Sequence, residues 1–235
     1  MNQQLTLNII QPLAFAFDSF VEGSNQQLVA RLKMLAEGAL SETSPAGNVY
    51  IWGEQGSGKS HLLQAVCQQL QQNHIQGIYL SCQQLRELPA EAIEGLEHMD
   101  VVALDDIDAL AGHEEWEEAM FHFYNRAAME NTSLLFSAKS SPQGIAIQLP
   151  DLKSRLNAGE TYRVSGLSDS EKRQLLTQAA QQRGFHLNED VADFIMQRSA
   201  RDTASLQRII EYLDHTSLSE KRAITVPFVK RVLGI

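Results

Sequence analysis

The chain has 235 residues, 43% hydrophobic and 20% charged, a balance that suits an ordinary soluble globular protein with room for a substantial core. No apolar run approaches the ~20 residues of a membrane-spanning helix, and the N-terminus shows no export signal. The two cysteines, Cys67 and Cys82, form neither a metal-ligand spacing nor a disulfide framework, so a reducing cytoplasm is expected. The formal charge of −10 is uneven: residues 1–165 carry 9 Lys and Arg against 20 Asp and Glu, residues 166–235 carry 10 against 9. No basic stripe stands out, which argues against autonomous DNA binding.

The first stretch is Gln4-Leu5-Thr6-Leu7-Asn8-Ile9, in which Leu5, Leu7 and Ile9 alternate with polar residues. The pattern suits an edge strand, or an extended peptide whose alternate side chains enter a partner's pockets. Phe15, Phe17 and Phe20 follow, then turn residues and a helix from about Asn25 to Leu40 with Leu28, Leu32 and Leu35 on one face. The aromatics suit core packing, an apolar slot for a nucleobase, or both. Ser41 to Asn48, with Pro45 and Gly47, reads as a loop.

Val49-Tyr50-Ile51-Trp52 then reads as a short buried strand, and Leu62, Leu63, Val66 and Leu70 mark one face of a helix. Between them stands Gly53-Glu54-Gln55-Gly56-Ser57-Gly58-Lys59-Ser60. Strand, G-x-x-x-x-G-K-S and helix together make a phosphate-binding loop in its required context. Gly53, Gly56 and Gly58 permit backbone turns and close approaches that a Cβ would obstruct. Backbone N–H groups can then converge on phosphate oxygens at a helix N-terminus. Lys59 is expected to neutralise phosphate charge and the Ser60 hydroxyl to ligate Mg²⁺.

A second strand is expected at Ile78 to Ser81, and Gln83 to His98 reads as helical with an interruption near Pro89. Val101-Val102-Ala103-Leu104-Asp105-Asp106 has the continuous apolar character of a buried parallel strand ending in two carboxylates. Carboxyl ends of such strands are where α/β sheets bind ligands. Asp105 would help hold Mg²⁺ and Asp106 would polarise an attacking water; the alternative is an acidic loop. Glu114 to Glu130 is amphipathic, Ser133 to Ser137 is a buried strand, Leu149 to Leu156 a short helix carrying Arg155, and Thr161 to Val164 a last strand. From Ser168 the pattern is helical throughout, opened by the capping box Ser168-x-x-Glu171. Further helices are expected at 188–198 and 203–218, with Pro227 near the start of a final short one. The expected fold class is α/β: a parallel sheet flanked by helices, plus a small all-α lid domain. The expected boundaries are an N-terminal peptide over 1–12, a nucleotide-binding domain over 13–165 and the lid over 166–235.

The phosphate loop, Asp-Asp strand, later arginine and helical lid together resemble an AAA+ module. Phe17-Asp-Ser-Phe-Val-Glu-Gly-Ser-Asn25 is similar to the segment that begins the AAA+ domain of the bacterial replication initiator DnaA, and Leu149-Pro-Asp-Leu-Lys-Ser-Arg-Leu156 resembles the initiator's arginine-finger element. The resemblance runs from about Phe15 onward, without the initiator's helix-turn-helix domain. Gln4 to Ile9 resembles sliding-clamp-binding peptides, a combination that implies a DnaA-related regulator of initiation.

By this resemblance an adenine nucleotide, ADP or ATP, binds with Mg²⁺. Phe17, Phe20, Val21, Gly23 and Asn25 flank the nucleoside. Gly53, Gln55, Gly56, Ser57, Gly58, Lys59 and Ser60, with His61, hold the phosphates. Ser60 and Asp105 serve the metal, and Asp106 matches the hydrolytic carboxylate. Arg155 reaches a neighbouring subunit's nucleotide in trans, unless it pairs with Asp151 one turn away. Gln4, Leu5, Leu7 and Ile9 bind the clamp, the beta subunit of DNA polymerase III. The implied partners are the clamp, DnaA and further copies of the chain, with no membrane. Two positions depart from the family: Lys139 where the initiator has an acid, and Ala204 where its lid carries a sensor arginine. Arg208, one turn on, is a candidate replacement. Both departures imply weak intrinsic hydrolysis. The rival readings are a self-sufficient ATPase and a helicase-loader-like DNA-binding ATPase.

Overall fold

A computed structural model describes residues 15–38, 47–199 and 203–234. Gln4, Leu5, Leu7 and Ile9 therefore lie outside the described residues. Five strands, β1 (Val49–Trp52), β2 (Gly77–Ser81), β3 (Val101–Asp105), β4 (Ser133–Ala138) and β5 (Glu160–Arg163), form one sheet in the order β2-β3-β4-β1-β5. All four pairings are parallel, with Val49 opposite Leu135 and Leu104 opposite Phe136. The interior strands β3 and β4 are buried at every residue, whereas the edge strands β2 and β5 are partly exposed. A strand covered on both faces has no use for polar alternation, which is why the interior strands read as unbroken apolar runs.

The side-chain period of two sorts the core into two layers. Val101 and Ala103 point to one face, where α1 (Gln26–Ala36) and α2 (Lys59–Gln72) pack Leu28, Leu32, Leu62, Leu63 and Val66 against Ile51 and Leu135. Val102 and Leu104 point to the other, under Trp116, Met120 and Phe123 of α4 (Glu114–Glu130) and Leu152 of α5 (Pro150–Asn157). Phe123 is fully buried, so truncating it to alanine would cost about 3–5 kcal/mol.

The helical stretch expected over 83–98 is interrupted at Pro89, as expected, and broken a second time at Gly95. One helical turn, α3 (Cys82–Leu85), gives way to two 3₁₀ turns, Ala90–Ile93 and Leu96–His98. Pro89 is extended and Gly95 is left-handed at φ 85°, so the backbone is broken twice. Helix α1 ends at Ala36 rather than near Leu40, with Gly38 turning at φ 77°. The remaining boundaries agree with the sequence reading within about two residues, the ordinary uncertainty of helix and strand ends.

Beyond β5, α6 (Asp169–Gln182), α7 (Glu189–Arg198), α8 (Thr203–Glu220) and α9 (Val226–Leu233) enclose their own core of Leu176, Ala180, Val191, Ile195, Leu206, Ile210, Leu213 and Phe228. The capping box at the start of α6 is formed in both directions between Ser168 and Glu171. The architecture is thus an AAA+-type parallel sheet with flanking helices and a helical lid. No described helix is long and apolar enough to cross a membrane.

Candidate nucleotide-binding site

A cavity of about 340 Å³ lies at the carboxyl ends of the strands, between the sheet and the lid. Gln55, Gly56, Ser57 and Gly58 line it from the loop between β1 and α2, and Lys59, Ser60 and His61 from the first turn of α2. Phe15, Ser19, Phe20 and Val21 line it from the N-terminal side, and Gln83, Asp106 and Lys139 from the ends of β2, β3 and β4. The lid contributes Leu167, Leu175, Thr203 and Gln207.

The loop owes its shape to its glycines. Gly58 has φ 97°, and a Cβ there would stand 2.7 Å from the Phe20 ring. Gly53 does not line the cavity; a Cβ on it would meet the Val164 carbonyl oxygen at 2.5 Å, so it lets β5 close against the loop. The Lys59 ammonium is buried and donates to the carbonyls of Gly53 and Glu54, each at 2.9 Å. Burial pushes its pKa down, opposed by the charges of Asp106, Asp105 and Asp108. Ser57 Oγ is buried without a hydrogen-bond partner among the described residues. A buried orphan hydroxyl, a buried ammonium and a helix N-terminus converging on one loop fit a phosphate group.

The two carboxylates do different things. Asp105 is buried, accepts from the Tyr79 hydroxyl at 2.7 Å and from the Ser137 hydroxyl, and does not line the cavity. Asp106 adopts a left-handed backbone (φ 57°), donates its N–H to Ser137 Oγ at 2.9 Å and accepts from Gln83 Nε2 at 2.8 Å. That turn carries its side chain into the cavity wall. Burial and then the neighbouring Asp105 raise its pKa; Lys59, Lys139 and the Gln83 bond work against them. Among the described residues no cluster of three or more His, Cys, Asp or Glu could cage a metal ion. Ser60 and Asp106 do offer hard oxygen donors to the cavity, which suits Mg²⁺ held partly by phosphate oxygens and water.

On the nucleoside side, Phe20 and Val21 line the cavity as expected. His61 joins them, its ring centroid 5.7 Å from Phe20 and 5.4 Å from Phe15. Its Nε2 lies 3.1 Å from the Ala16 carbonyl oxygen and 3.2 Å from Ser19 Oγ, and burial lowers its pKa despite the Ala16 contact. Phe17, Gly23 and Asn25 do not line the cavity. Phe17 belongs to the core beneath α1, with the Lys33 ammonium 5.7 Å from its ring centroid. Gly23 lies against Glu171 of the lid, whose Oε1 would be 2.3 Å from an added Cβ. Asn25 clasps the strand-to-lid connection, donating to the Ser165 carbonyl at 3.2 Å and accepting from its N–H at 2.8 Å.

Arg155 is exposed, does not line this cavity and forms no ion pair with Asp151. It stands beside Asn48, Val49 and Gly159, at the opposite end of β1 from the phosphate loop. On α8, Thr203 and Gln207 line the cavity, whereas Arg208 is exposed and does not. Phe15 lines the cavity, as one of the three aromatics that suit a nucleobase slot, whereas Ser19, Gln83, Leu167, Leu175, Thr203 and Gln207 are lining residues that the sequence does not single out. Gln83 has a usable signal, a polar side chain just past the carboxyl end of a strand.

Comparison with known proteins fits this geometry. A model of the bacterial DnaA ATPase domain matches residues 12–163, and a model described as the Hda lid domain matches residues 169–233. An uncharacterised protein of Haemophilus influenzae is 39% identical over the whole of both chains. Domain III of the Thermotoga maritima replication initiation protein DnaA superposes with a TM-score of 0.80 at 19% identity, covering 94% of this chain and 96% of that one. AMPPCP-bound DnaA from Aquifex aeolicus superposes with a TM-score of 0.70 at 18% identity, covering 90% and 68%. With its phosphate loop, parallel sheet and matching lid, the chain belongs to the DnaA-related AAA+ family, in the branch that carries the Hda type of lid.

Proposed function

We propose that the chain is a regulator of replication initiation that binds an adenine nucleotide with Mg²⁺ and promotes hydrolysis of ATP held by DnaA. Lys59, Ser57 and the loop backbone bind the phosphates, and Ser60 and Asp106 serve the metal. Phe20, Val21 and His61 flank the nucleoside, while Phe17, Gly23 and Asn25 hold that wall and the lid in register. Mg²⁺ neutralises phosphate charge when bound. Gln4, Leu5, Leu7 and Ile9 dock on the sliding clamp, raising the local concentration of the regulator at replicating DNA.

The observation that carries the proposal is Arg155. Its guanidinium is exposed and, among the described residues, unpaired, at the far end of β1 from its own phosphate loop, so it cannot serve its own nucleotide. A guanidinium offered in trans stabilises phosphoryl-transfer charge by roughly 10³–10⁵-fold in other NTPases. Arg155→Ala and Arg155→Lys should keep thermal stability and nucleotide binding yet lose most stimulation of DnaA–ATP hydrolysis on DNA-loaded clamp, because lysine lacks the planar fork. Full stimulation by Arg155→Ala would remove the trans role. The second reading, a self-sufficient ATPase, is favoured by Asp106 in the cavity wall beside Lys59. Brisk ATP turnover by the isolated chain, abolished in Asp106→Asn, would establish it instead.

A further inference from the structure

Glu117, in the first turn of α4, is only 3% exposed and does not line the nucleotide cavity. Three backbone N–H groups meet its carboxylate, and among the described residues no cation does. Gly112 donates to Oε1 at 2.7 Å, and Gln148 and Leu149 donate to Oε2 at 2.9 and 2.7 Å. Burying a carboxylate is costly unless such donors replace water, so all three bonds matter to it. Its two oxygens serve different parts of the fold. Gly112 closes the turn after β3 that begins at Asp106. Gln148 and Leu149 lead into α5, the helix that carries Arg155. That helix starts poorly by itself: its N-cap is Leu149, which has no side-chain acceptor, and Pro150 follows. Glu117 brings an acceptor and a negative charge to this end from α4, where the helix dipole favours both. The other anchors of α5 are Leu152 and Leu156 in the core, and Lys153, whose ammonium donates to the Ile145 carbonyl at 3.0 Å. Apolar contacts decide which face of α5 is buried but tolerate sliding along its axis. Hydrogen bonds at its first residue do not.

We propose that Glu117 is the positioning residue of Arg155: by pinning the start of α5 to α4 and to the turn after β3, it sets the place at which the guanidinium is offered to the ATP held by DnaA. The proposal rests on the reading of Arg155 above. Arg155 lies six residues beyond Leu149, about 9 Å along the helix axis, so a shift at the start of α5 is carried to it. Its exposed guanidinium has no bond of its own among the described residues to correct that shift. Misplacing a group that acts on a transition state by about 1 Å costs about 10²-fold in rate. Glu117 touches no nucleotide and works through α5 alone.

The test is stimulation of DnaA–ATP hydrolysis on DNA-loaded clamp by the full chain, read as maximal rate and as half-saturating concentration, at a temperature where thermal melts show each variant folded. Glutamine keeps the size of the side chain, but its amide N–H₂ has to face donors, so it serves only one of the two sides. Glu117→Gln should lower maximal stimulation by about tenfold or more, while half-saturating concentration and the chain's own nucleotide affinity change by less than about threefold. Amide hydrogen exchange should quicken over residues 148–157 and stay at the wild-type level in β3 and β4. In an Arg155→Ala background, Glu117→Gln should change the residual rate by less than about twofold, because its effect passes through Arg155. Glu117→Asp keeps the charge with a shorter reach and should fall between wild type and Glu117→Gln; it carries the test if the glutamine variant melts below the assay temperature. Wild-type stimulation by the folded variants overturns the proposal. So does a loss that lies wholly in half-saturating concentration, or faster exchange throughout the sheet, which a merely structural role would give. Full stimulation by Arg155→Ala overturns the reading of Arg155 itself.

Discussion

The sheet side of the cavity presents Lys59, Ser60, Asp106 and Lys139, whereas the lid side presents Leu167, Leu175, Thr203 and Gln207. Two of the first set are held by their side chains, Lys59 on the carbonyls of Gly53 and Glu54 and Asp106 on Gln83, and the backbone N–H groups of Asp106 and Lys139 are anchored on Ser137 and Asp108. The second is apolar or neutral and rides on helices with a core of their own. Charge requires close placement, since its energy falls steeply with distance and misplacement in a half-buried site leaves it unsolvated. Apolar packing tolerates sliding. The charged groups of the cavity thus stand on the sheet and its loops, and the lid side is neutral.

Breaking the charged wall should have the largest effect. Lys59→Ala removes a buried ammonium worth about 1.5–3 kcal/mol for each charged hydrogen bond it makes to phosphate, so nucleotide affinity by calorimetry should fall by about 100-fold. An unchanged affinity would mean that the loop is not where the ligand's charge sits. The join between the walls comes next. Asn25→Ala strands the Ser165 N–H and carbonyl together, which should lower unfolding stability by about 2 kcal/mol in urea titrations. If only lid-sensitive probes such as local hydrogen exchange change, the clasp serves orientation more than stability.

Two smaller effects depend on pH. His61 is held neutral in the fold because burial lowers its pKa. The unfolded chain therefore binds the extra proton first. Stability should fall as pH drops from the ordinary histidine value of about 6.5 through the lower folded one, and His61→Gln should flatten that slope in thermal melts. Asp106 has the opposite sign: its folded pKa is raised, so the wild type loses stability as pH rises through the window between the ordinary and the raised carboxyl values. Asp106→Asn keeps the left-handed backbone, which asparagine tolerates, and should melt slightly higher than wild type above that window and no differently below it.

The strands and long helices are legible in the sequence because each is a local pattern: unbroken apolar runs for β3 and β4, and a capping box at Ser168. The phosphate loop is legible for the same reason. What cannot be read there is decided by packing between distant parts of the chain. Phe17 and Phe20 are three residues apart in one aromatic segment, yet one belongs to the core and the other to the cavity, a choice made by α1 and Gly58. Asp105 and Asp106 look interchangeable in sequence, but the Tyr79 and Ser137 hydroxyls tie one into the sheet and the left-handed turn sends the other out. Asn25 reads as a turn residue and proves to reach Ser165, 140 positions away. The region after α3 departs from its helical periodicity because single residues, Pro89 and Gly95, outweigh it.

The Asn25–Ser165 clasp has a mechanical corollary. Ser165 is pinned to the sheet side, and Ser168 is pinned to α6 by its capping box, so only Gly166 and Leu167 lie between two fixed points. A Cβ at Gly166 would touch nothing, and Leu167 faces the cavity. Any swing of the lid must therefore be taken up by the backbone of these two residues, and one of them bears on whatever fills the site. Between the clasp and the four helices of the lid the connection is thus two residues long, and one of the two lines the cavity.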